Sequence, residues 1–257
     1  MLSDQQTQNG FERKSFPDFY EDWLAEQDRH LQQLLKAANE PPSPSNEDCL
    51  RPLVDRVLLH YDHYYHHKSF HSRRNVYQMF SPSWTSSAED SLLWVGGWRP
   101  SMAFLLLYSR SGSQLDARLD DLLRGVRTRD LGDLSPEQLA RLDALKVRTV
   151  AREREICERV ATAQETAVAP SVAELVHELT EGEVEEGVGD ARMEEAMRAK
   201  REGLEAALAE ADGLRMDALR GIVGELGPLQ AVHFFIAAAE MHLRVHEWGK
   251  RKDGRGD

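Results

Sequence analysis

Apolar residues recur at intervals of three and four along most of this chain, and strict alternation of apolar and polar residues is nearly absent. Such spacing is typical of helices that bury one face. It predicts an all-α fold, a single-domain helical bundle of seven or eight helices with no strand. The main predicted helices span residues of about 17–39, 50–80, 101–108, 115–126, 136–168, 191–226 and 229–248.

Proline, glycine and charge mark the connections between these helices. Residues 41–46 are rich in proline and serine and are expected to form a loop. Residues 174–195 hold nine acids against one arginine, with three glycines among them, and their middle is expected to be a flexible acidic loop. We expect disordered ends at residues 1–15 and at the basic tail 250–257, on either side of a domain at 16–249.

The segment between Trp84 and Pro100, here called the tryptophan knee, holds three of the five tryptophans. A serine cap at Ser86 or Ser87, with an acid three residues later, predicts a short helix. The glycine pair should end it, with a positive φ expected at Gly97, and Pro100 should begin the next helix. Arg99 is expected to be partly buried and to bond an acid or helix-terminal carbonyls. The knee is predicted to be structural, through Trp84, Trp94, Gly96, Gly97, Trp98, Arg99 and Pro100.

Composition narrows the function classes. The chain has 44 acids against 32 bases, a formal charge of −12, which argues against direct nucleic-acid binding. Two cysteines, Cys49 and Cys157, have no metal or redox spacing and fit a reducing, intracellular compartment. No apolar run reaches membrane-spanning length, so no membrane association is expected.

The sequence matches none of the common catalytic or nucleotide-binding motifs. The glycine-rich stretch Gly221–Gly227 lacks the preceding strand and the lysine of a phosphate-binding loop. We therefore expect a protein that is not an enzyme.

Three tryptophan-containing motifs carry a resemblance to a known family. They are the knee (Ser81-Pro82-x-Trp84-Thr85 and Trp94-x-Gly96-Gly97-x-Arg99-Pro100-Ser101), Asp18-Phe19-Tyr20-Glu21-Asp22-Trp23, and Leu243-Arg244-Val245-His246-Glu247-Trp248-Gly249. Together they resemble the plant seed-dormancy control (Delay of Germination) domain, over residues 16–249. The same domain occurs in TGA-type bZIP transcription factors. No bZIP region precedes it here, so the layout resembles the stand-alone dormancy proteins.

On the last predicted helix, His242 and His246 share a face with Phe235 and several alanines. From residue types alone, the favoured interpretation is two buried histidines satisfied by internal hydrogen bonds. The resemblance implies another role, because dormancy proteins bind haem through two histidines in this motif. Histidines four apart lie on one side of a helix, so they cannot both ligate one iron from opposite faces of a porphyrin. One would ligate the iron, and the other would orient it, bond a propionate or bind a second haem.

Four further histidines, His60, His63, His67 and His71, fall within one arc of the second predicted helix. Neighbours four apart could hold a divalent metal. No cysteine or second acidic segment is paired with them, so a solvent-exposed histidine edge is the favoured interpretation and no metal is expected.

The first helix has two interpretations. By resemblance, Asp18, Tyr20 and Trp23 match a motif implicated in binding a type-2C protein phosphatase of abscisic-acid signalling. Trp23 also shares a stripe with Phe16, Phe19 and Leu34 that would pack inside the bundle.

The resemblance implies a non-enzymatic dormancy regulator of nucleus and cytoplasm. Two alternatives remain: a transcriptional co-regulator that associates with TGA-type factors or with itself, and an apolar small-molecule or lipid-binding module whose pocket lies under the knee.

Overall fold

The computed structural model describes residues 14–40, 44–124, 128–165, 170–181 and 186–254, and within them it contains helices and no strand. The all-α expectation is confirmed. Seven of the described helices have 11 residues or more. In chain order the α-helices are α1 Phe16–Asn39, α2 Pro44–Ser72, α3 Val76–Phe80, α4 Ser87–Asp90, α5 Ser101–Ala117, α6 Leu119–Leu123, α7 Pro136–Glu165, α8 Pro170–Thr180, α9 Glu186–Glu225 and α10 Pro228–Lys252. A short 3₁₀ helix, Leu131–Asp133, precedes α7.

Two groups of helices enclose the core. Helix α10 packs along α1 and α2, and helix α9 packs along α7. The apolar stripes that the sequence predicts face inward in both groups, and the fully buried Phe104 on α5 joins them at the centre. Burial of such aromatic and aliphatic side chains contributes about 2 kcal/mol each, which is what holds helices without strand pairing together.

Helix starts follow the capping signals closely. The Ser15 hydroxyl accepts from the backbone N–H of Asp18 at 3.3 Å, and α1 has proline at its second position. Before α7, Ser135 and Gln138 bond each other reciprocally, at 3.0 and 3.2 Å, which is a capping box.

Two predicted boundaries are wrong for local reasons. Helix α2 ends at Ser72 and a separate helix begins at Val76, because the Asn75 side chain accepts from the N–H of Gln78 and starts a new helix there. The central helix, expected to end at Tyr108, continues to Ala117. Of the expected loop 41–46, residues 44–46 begin α2, and 41–43 lie outside the described residues.

Residues 174–195, whose middle is expected to be a flexible acidic loop, are helical at both ends. Helix α8 ends at Thr180 and α9 begins at Glu186, so residues 186–195 are helical, while 182–185 lie outside the described residues. A Cβ added at Gly189 would lie 2.2 Å from a methyl carbon of Leu179 on α8. Glycine therefore permits the close approach of two helices here, and sequence reasoning took it for a sign of flexibility.

The last helix is longer than predicted. It continues through the basic residues to Lys252, so the first part of the expected disordered tail is helical. Lys250 on this helix donates to Glu21 of α1 at 2.7 Å. Residues 1–13 and 255–257, where the rest of the expected disorder falls, lie outside the described residues. Among the helices that are described, none combines the length and the apolar character needed to cross a membrane.

Candidate functional site

The tryptophan knee contains a tight reverse turn. Trp94 and Gly97 exchange backbone hydrogen bonds, with N–H···O distances of 2.7 and 3.2 Å, and the two residues between them both have positive φ. These φ angles are 45° at Val95 and 68° at Gly96. Positive φ at both central positions is the signature of a type I′ turn. The expectation of positive φ at Gly97 is wrong, since the turn places it one residue earlier.

The glycine pair is required by close packing as well as by φ. A Cβ on Gly96 would lie 2.7 Å from the carbonyl oxygen of Met79, and one on Gly97 would lie 3.0 Å from the guanidinium carbon of Arg215. Position 97 therefore has little room for a side chain, because an arginine from another helix lies against it.

Arg215 of α9 holds the knee from inside the protein. Its guanidinium is fully buried and donates to the carbonyl oxygens of Trp98, at 2.7 Å, Val95, at 3.0 Å, and Trp94. It also bonds Asp212, whose Oδ1 accepts from Lys68 at 2.9 Å.

Arg99 has the acidic partner that the sequence suggested. Its Nε donates to Glu153 Oε2 at 2.7 Å, and the other oxygen of Glu153 accepts from the N–H of Ser101 at 2.6 Å. Glu153 is fully buried, while the Arg99 side chain is 45% exposed. Glu153 thereby satisfies a donor at the start of α5, whose preceding residue, Pro100, provides no side-chain cap.

The short helix of the knee carries a buried carboxylate that reaches α10. Both oxygens of Glu89 lie 3.0 Å from Nδ1 of His246. Ser86 donates to Glu89 through its N–H and its hydroxyl, at 2.8 and 2.7 Å, and Tyr20 donates at 2.9 Å. The Tyr20 hydroxyl has one hydrogen, which it gives to Glu89, so at 3.1 Å it accepts from Nε2 of His242. Glu89 thus joins α1, α4 and α10.

The pKa values in this cluster follow from its burial and its hydrogen bonds. Burial alone would raise the pKa of the Glu89 carboxyl, but the hydrogen bonds from His246 and Ser86 outweigh it and lower that pKa to about 2. Burial lowers the pKa of His242 to about 4, against the opposing effect of Glu89. Burial and the Glu89 charge hold the pKa of Tyr20 well above its ordinary value. Glu89 is therefore ionised, and His242 and Tyr20 are neutral, at neutral pH.

The histidines of α2 do not form the solvent-exposed edge that the sequence favoured. His60 and His67 are buried against the aromatic residues of α1. The ring of His60 stacks on Trp23, with centroids 4.6 Å apart, and the ring of His67 stacks on Phe19, at 3.7 Å. His63 is exposed and His71 is half-buried. Burial is the main cause that lowers the pKa of His60 to about 3 and that of His67 to about 4.

No metal-binding arrangement of three or more His, Cys, Asp or Glu side chains occurs within the described part of the chain. The cysteines Cys49 and Cys157 are free and exposed.

The residues predicted to bind a phosphatase divide into two groups. Tyr20 and Trp23 are both 4% exposed, and the Trp23 indole donates to the carbonyl oxygen of His60 at 3.2 Å. Asp18 lies on the exposed face of α1, with Glu21 and Asp22 beside it. The aromatic residues of the motif hold α1 against the bundle, and only its acids are available to another molecule.

A partly enclosed cavity of about 220 Å³ lies directly under the knee. Its walls come from α1, α2, α3, the knee, α5, α9 and α10, and they are mostly aromatic and aliphatic. The lining residues also include Tyr64, Lys68, Glu89 and His242, which carry polar groups. This is the place where the sequence suggested a pocket for a small apolar molecule.

Comparison with known proteins agrees with the motifs. Residues 30–109 match the family described as seed dormancy control (DOG1). Protein DOG1-like 3 of Arabidopsis thaliana is 31% identical over 241 residues, which cover 91% of this chain and 83% of that protein. This chain belongs to the seed dormancy control family.

Two further relatives extend the comparison. Protein RESPONSE TO ABA AND SALT 1 of Arabidopsis thaliana is 28% identical over 238 residues, covering 91% of this chain and 94% of that protein. Transcription factor TGAL3 of Oryza sativa subsp. japonica is 36% identical over 107 residues, covering 42% of this chain and 26% of the factor. The likeness to TGA factors is therefore partial, while membership of the family supports a role related to seed dormancy.

The haem expectation that comes with the seed dormancy control family does not fit the cavity. At about 220 Å³ it is below the roughly 300–1,000 Å³ of pockets that enclose drug-sized ligands, and a porphyrin is larger than most of those ligands. Nε2 of His242 is bonded to Tyr20, so this nitrogen is not available as a ligand in the present conformation. The Nδ1 bond from His246 to Glu89 is the kind that orients metal-ligating histidines, but His246 is buried and does not line the cavity.

Sequence reasoning missed the residues that organise this region from a distance. Local patterns indicate Glu89 only as a capping residue, and they do not single out Lys68, Glu153, Asp212 or Arg215. A buried arginine and lysine on helices that are otherwise apolar inside would have been a signal, because such residues are rarely buried without a partner. The identity of the partner depends on contacts between residues more than 100 positions apart.

Proposed function

We propose that this protein is a non-enzymatic regulator of seed dormancy in abscisic-acid signalling, and that it acts in nucleus and cytoplasm by binding a type-2C protein phosphatase. Membership of the seed dormancy control family supports the dormancy role. The relative named for its response to ABA and salt supports the link to abscisic acid. The observation that carries the binding proposal is an exposed acidic face at the start of α1, at the motif that the resemblance assigns to the phosphatase.

The acidic face is well suited to a basic partner surface. Asp18 accepts from the Ser15 hydroxyl at 2.6 Å, Glu21 pairs with Lys250 and Asp22 pairs with Lys14. Exposed pairs of this kind contribute only about 0–1 kcal/mol, so a partner's arginines or lysines can displace them at little cost. Charges at the rim of an interface act mainly on the association rate, and salt weakens them.

The test is binding of a purified type-2C phosphatase to a triple variant, Asp18→Asn, Glu21→Gln and Asp22→Asn. We expect the affinity to fall by at least about tenfold and to lose most of its salt dependence, with an unchanged melting temperature. Asp28→Asn, at an exposed acid further along α1, is the matched control and should bind like the wild type. Wild-type affinity in the triple variant would contradict the acidic face as the binding surface. Trp23→Ala is no substitute, since it removes a buried contact and would report unfolding.

A second candidate is association with TGA-type factors, or self-association, through the domain that they share. The partial similarity to TGAL3 favours it. Its test is whether the purified chain joins a TGA factor on its DNA site in a gel-shift experiment while failing to bind the phosphatase.

A third candidate is a small-molecule-binding role, which the cavity under the knee favours. Haem binding through His242 and His246 is proposed on the resemblance alone, since the cavity does not fit a porphyrin.

A further inference from the structure

The size and lining of the cavity define the ligands that it can take. A cavity of about 150 Å³ with apolar walls is enough to bind benzene, and this one, at about 220 Å³, has room for one or two fused rings. Tyr64, Tyr65, Trp23 and Trp98 contribute aromatic surface to its walls. Aromatic rings pack well against one another in tilted and edge-to-face arrangements, so a flat ring is favoured over a flexible chain.

In the group formed by Lys68, Arg215 and Asp212, beside the cavity, buried positive charge exceeds buried negative charge. Glu89, the carboxylate of the cavity wall, accepts hydrogen bonds from His246, Ser86 and Tyr20 and is not part of this group. The ammonium of Lys68 and the guanidinium of Arg215 share a single carboxylate, that of Asp212. Both cations are almost fully buried. Carbonyl oxygens of the knee also accept from them, but these oxygens carry dipoles and no net charge. A buried charge without a counter-charge is costly, so this cluster would be stabilised by one more anion.

Two donors of the cavity wall remain for such an anion. Lys68 lines the cavity and uses two of its three N–H groups, on Gly96 and Asp212, at 2.7 and 2.9 Å. Its Nζ also lies 6.0 Å from the ring centre of Tyr65, and among the described residues the third N–H has no oxygen or nitrogen acceptor. Tyr64 also lines the cavity, and its hydroxyl has no hydrogen-bond partner among the described residues. Burial lowers the pKa of Lys68 to about 8, so it still carries its charge at neutral pH. Burial raises the pKa of Tyr64 well above its ordinary value, so its hydroxyl remains a donor.

We infer that the cavity under the knee binds a compact aromatic carboxylate, with the ring between the aromatic side chains and the carboxylate accepting from Lys68 and Tyr64. This inference rests on the third candidate function above and specifies its ligand class. Aromatic surface, limited volume and an unmatched buried cation together select an aromatic acid over a neutral or cationic ring.

The test titrates the full-length protein with 1-naphthoate and with its neutral isostere 1-naphthamide, by calorimetry and by quenching of tryptophan fluorescence. We expect saturable binding of 1-naphthoate that is at least about tenfold tighter than that of the amide, because a hydrogen bond to a charged group is worth more than a neutral one. Tyr64→Phe keeps the ring but removes the hydroxyl, and it should lower the affinity for 1-naphthoate by about tenfold.

A second pair of variants locates the site. Ala238 on α10 lines the cavity, so Ala238→Phe should fill it and abolish binding without loss of helicity. Ala206→Phe, at an exposed alanine of α9, is the matched control and should bind normally.

The results separate the ligand class from the function on which it rests. Suppose that 1-naphthoate and 1-naphthamide bind with equal affinity and that Ala238→Phe blocks both. This result would overturn the preference for a carboxylate, and it would leave the cavity as a small-molecule site. Binding that survives Ala238→Phe, or no saturable binding of either compound, would overturn the inference and the small-molecule role together.

Discussion

Nδ1 of His246 lies 3.0 Å from each carboxylate oxygen of Glu89, and this contact joins the last helix to the short helix of the knee across 157 positions of sequence. Both groups are buried, and Glu89 also accepts from Ser86 and Tyr20. One carboxylate therefore connects the three segments that carry the family resemblance: the N-terminal helix, the knee and the last helix.

Glu89→Gln should lower the free energy of unfolding by about 2–3 kcal/mol at neutral pH, because it replaces an ionised acceptor of buried hydrogen bonds by a neutral amide. The pKa of Glu89 is lowered to about 2, so its charge stabilises the fold above its unfolded pKa of about 4.5, and this contribution is lost as the pH falls through 2. Urea unfolding measures the change. Glu247→Gln, at an exposed acid of α10, should change stability by less than about 0.5 kcal/mol. Equal effects of the two substitutions would show that the contact is unimportant.

Gly96→Ala should be the most damaging alanine substitution in the knee. The new Cβ would require a strained positive φ and would lie 2.7 Å from a backbone oxygen, so we expect a loss of more than about 2 kcal/mol. Gly97→Ala meets only the Arg215 side chain and should cost about 1 kcal/mol. Gly112→Ala, on α5 with nothing within 4 Å, should stabilise the protein by about 0.5–1 kcal/mol. Thermal melts of the three variants measure the order of their stabilities. A larger loss of stability in Gly97→Ala than in Gly96→Ala would contradict the turn geometry.

Stability should fall on mild acidification. The pKa values of His60, His67 and His242 lie near 3, 4 and 4 in the folded protein, below the ordinary value of 6.5. Between those values the unfolded chain binds more protons, so the free energy of unfolding decreases as the pH falls from about 6.5, by about 1 kcal/mol per unit for each histidine.

His60→Phe keeps an aromatic ring against Trp23. It should reduce the slope of the unfolding free energy against pH by the contribution of one histidine, about 1 kcal/mol per pH unit. His177→Gln, at an exposed histidine of α8, is the control and should leave the slope unchanged. Urea unfolding across this pH range measures both. A slope in His60→Phe equal to that of the wild type would show that His60 is protonated in the folded protein.

Hemin binding, which is proposed on the family resemblance, should compete with the Tyr20 hydroxyl for His242. Tyr20→Phe frees Nε2 of His242 and should therefore strengthen a saturable Soret band in a hemin titration. His242→Ala with His246→Ala should abolish the band while helicity is kept. The single changes should differ, because His242 lines the cavity and His246 is held by Glu89. A full band in the double variant would refute both histidines as ligands.

The sequence by itself determined the parts of this protein that depend on neighbouring residues. Apolar spacing predicted most of the long helices, and serine and proline signals predicted the starts of α4 and α7, since capping bonds span only three residues. The tryptophan motifs were enough to indicate the family, because they are long and contiguous.

Only the tertiary structure decided what these elements contact. Whether Gly96 or Gly97 takes positive φ depends on which pair closes the turn, and the knee is fixed by Arg215, more than 110 positions away. His60 and His67 are buried because α1 lies against that side of α2, which helical periodicity within α2 does not reveal. The cavity and the excess positive charge of Lys68 and Arg215 beside it arise where seven segments of the chain meet. Local sequence patterns encode where helices begin and end, whereas the long-range packing of side chains decides which of their residues form a site.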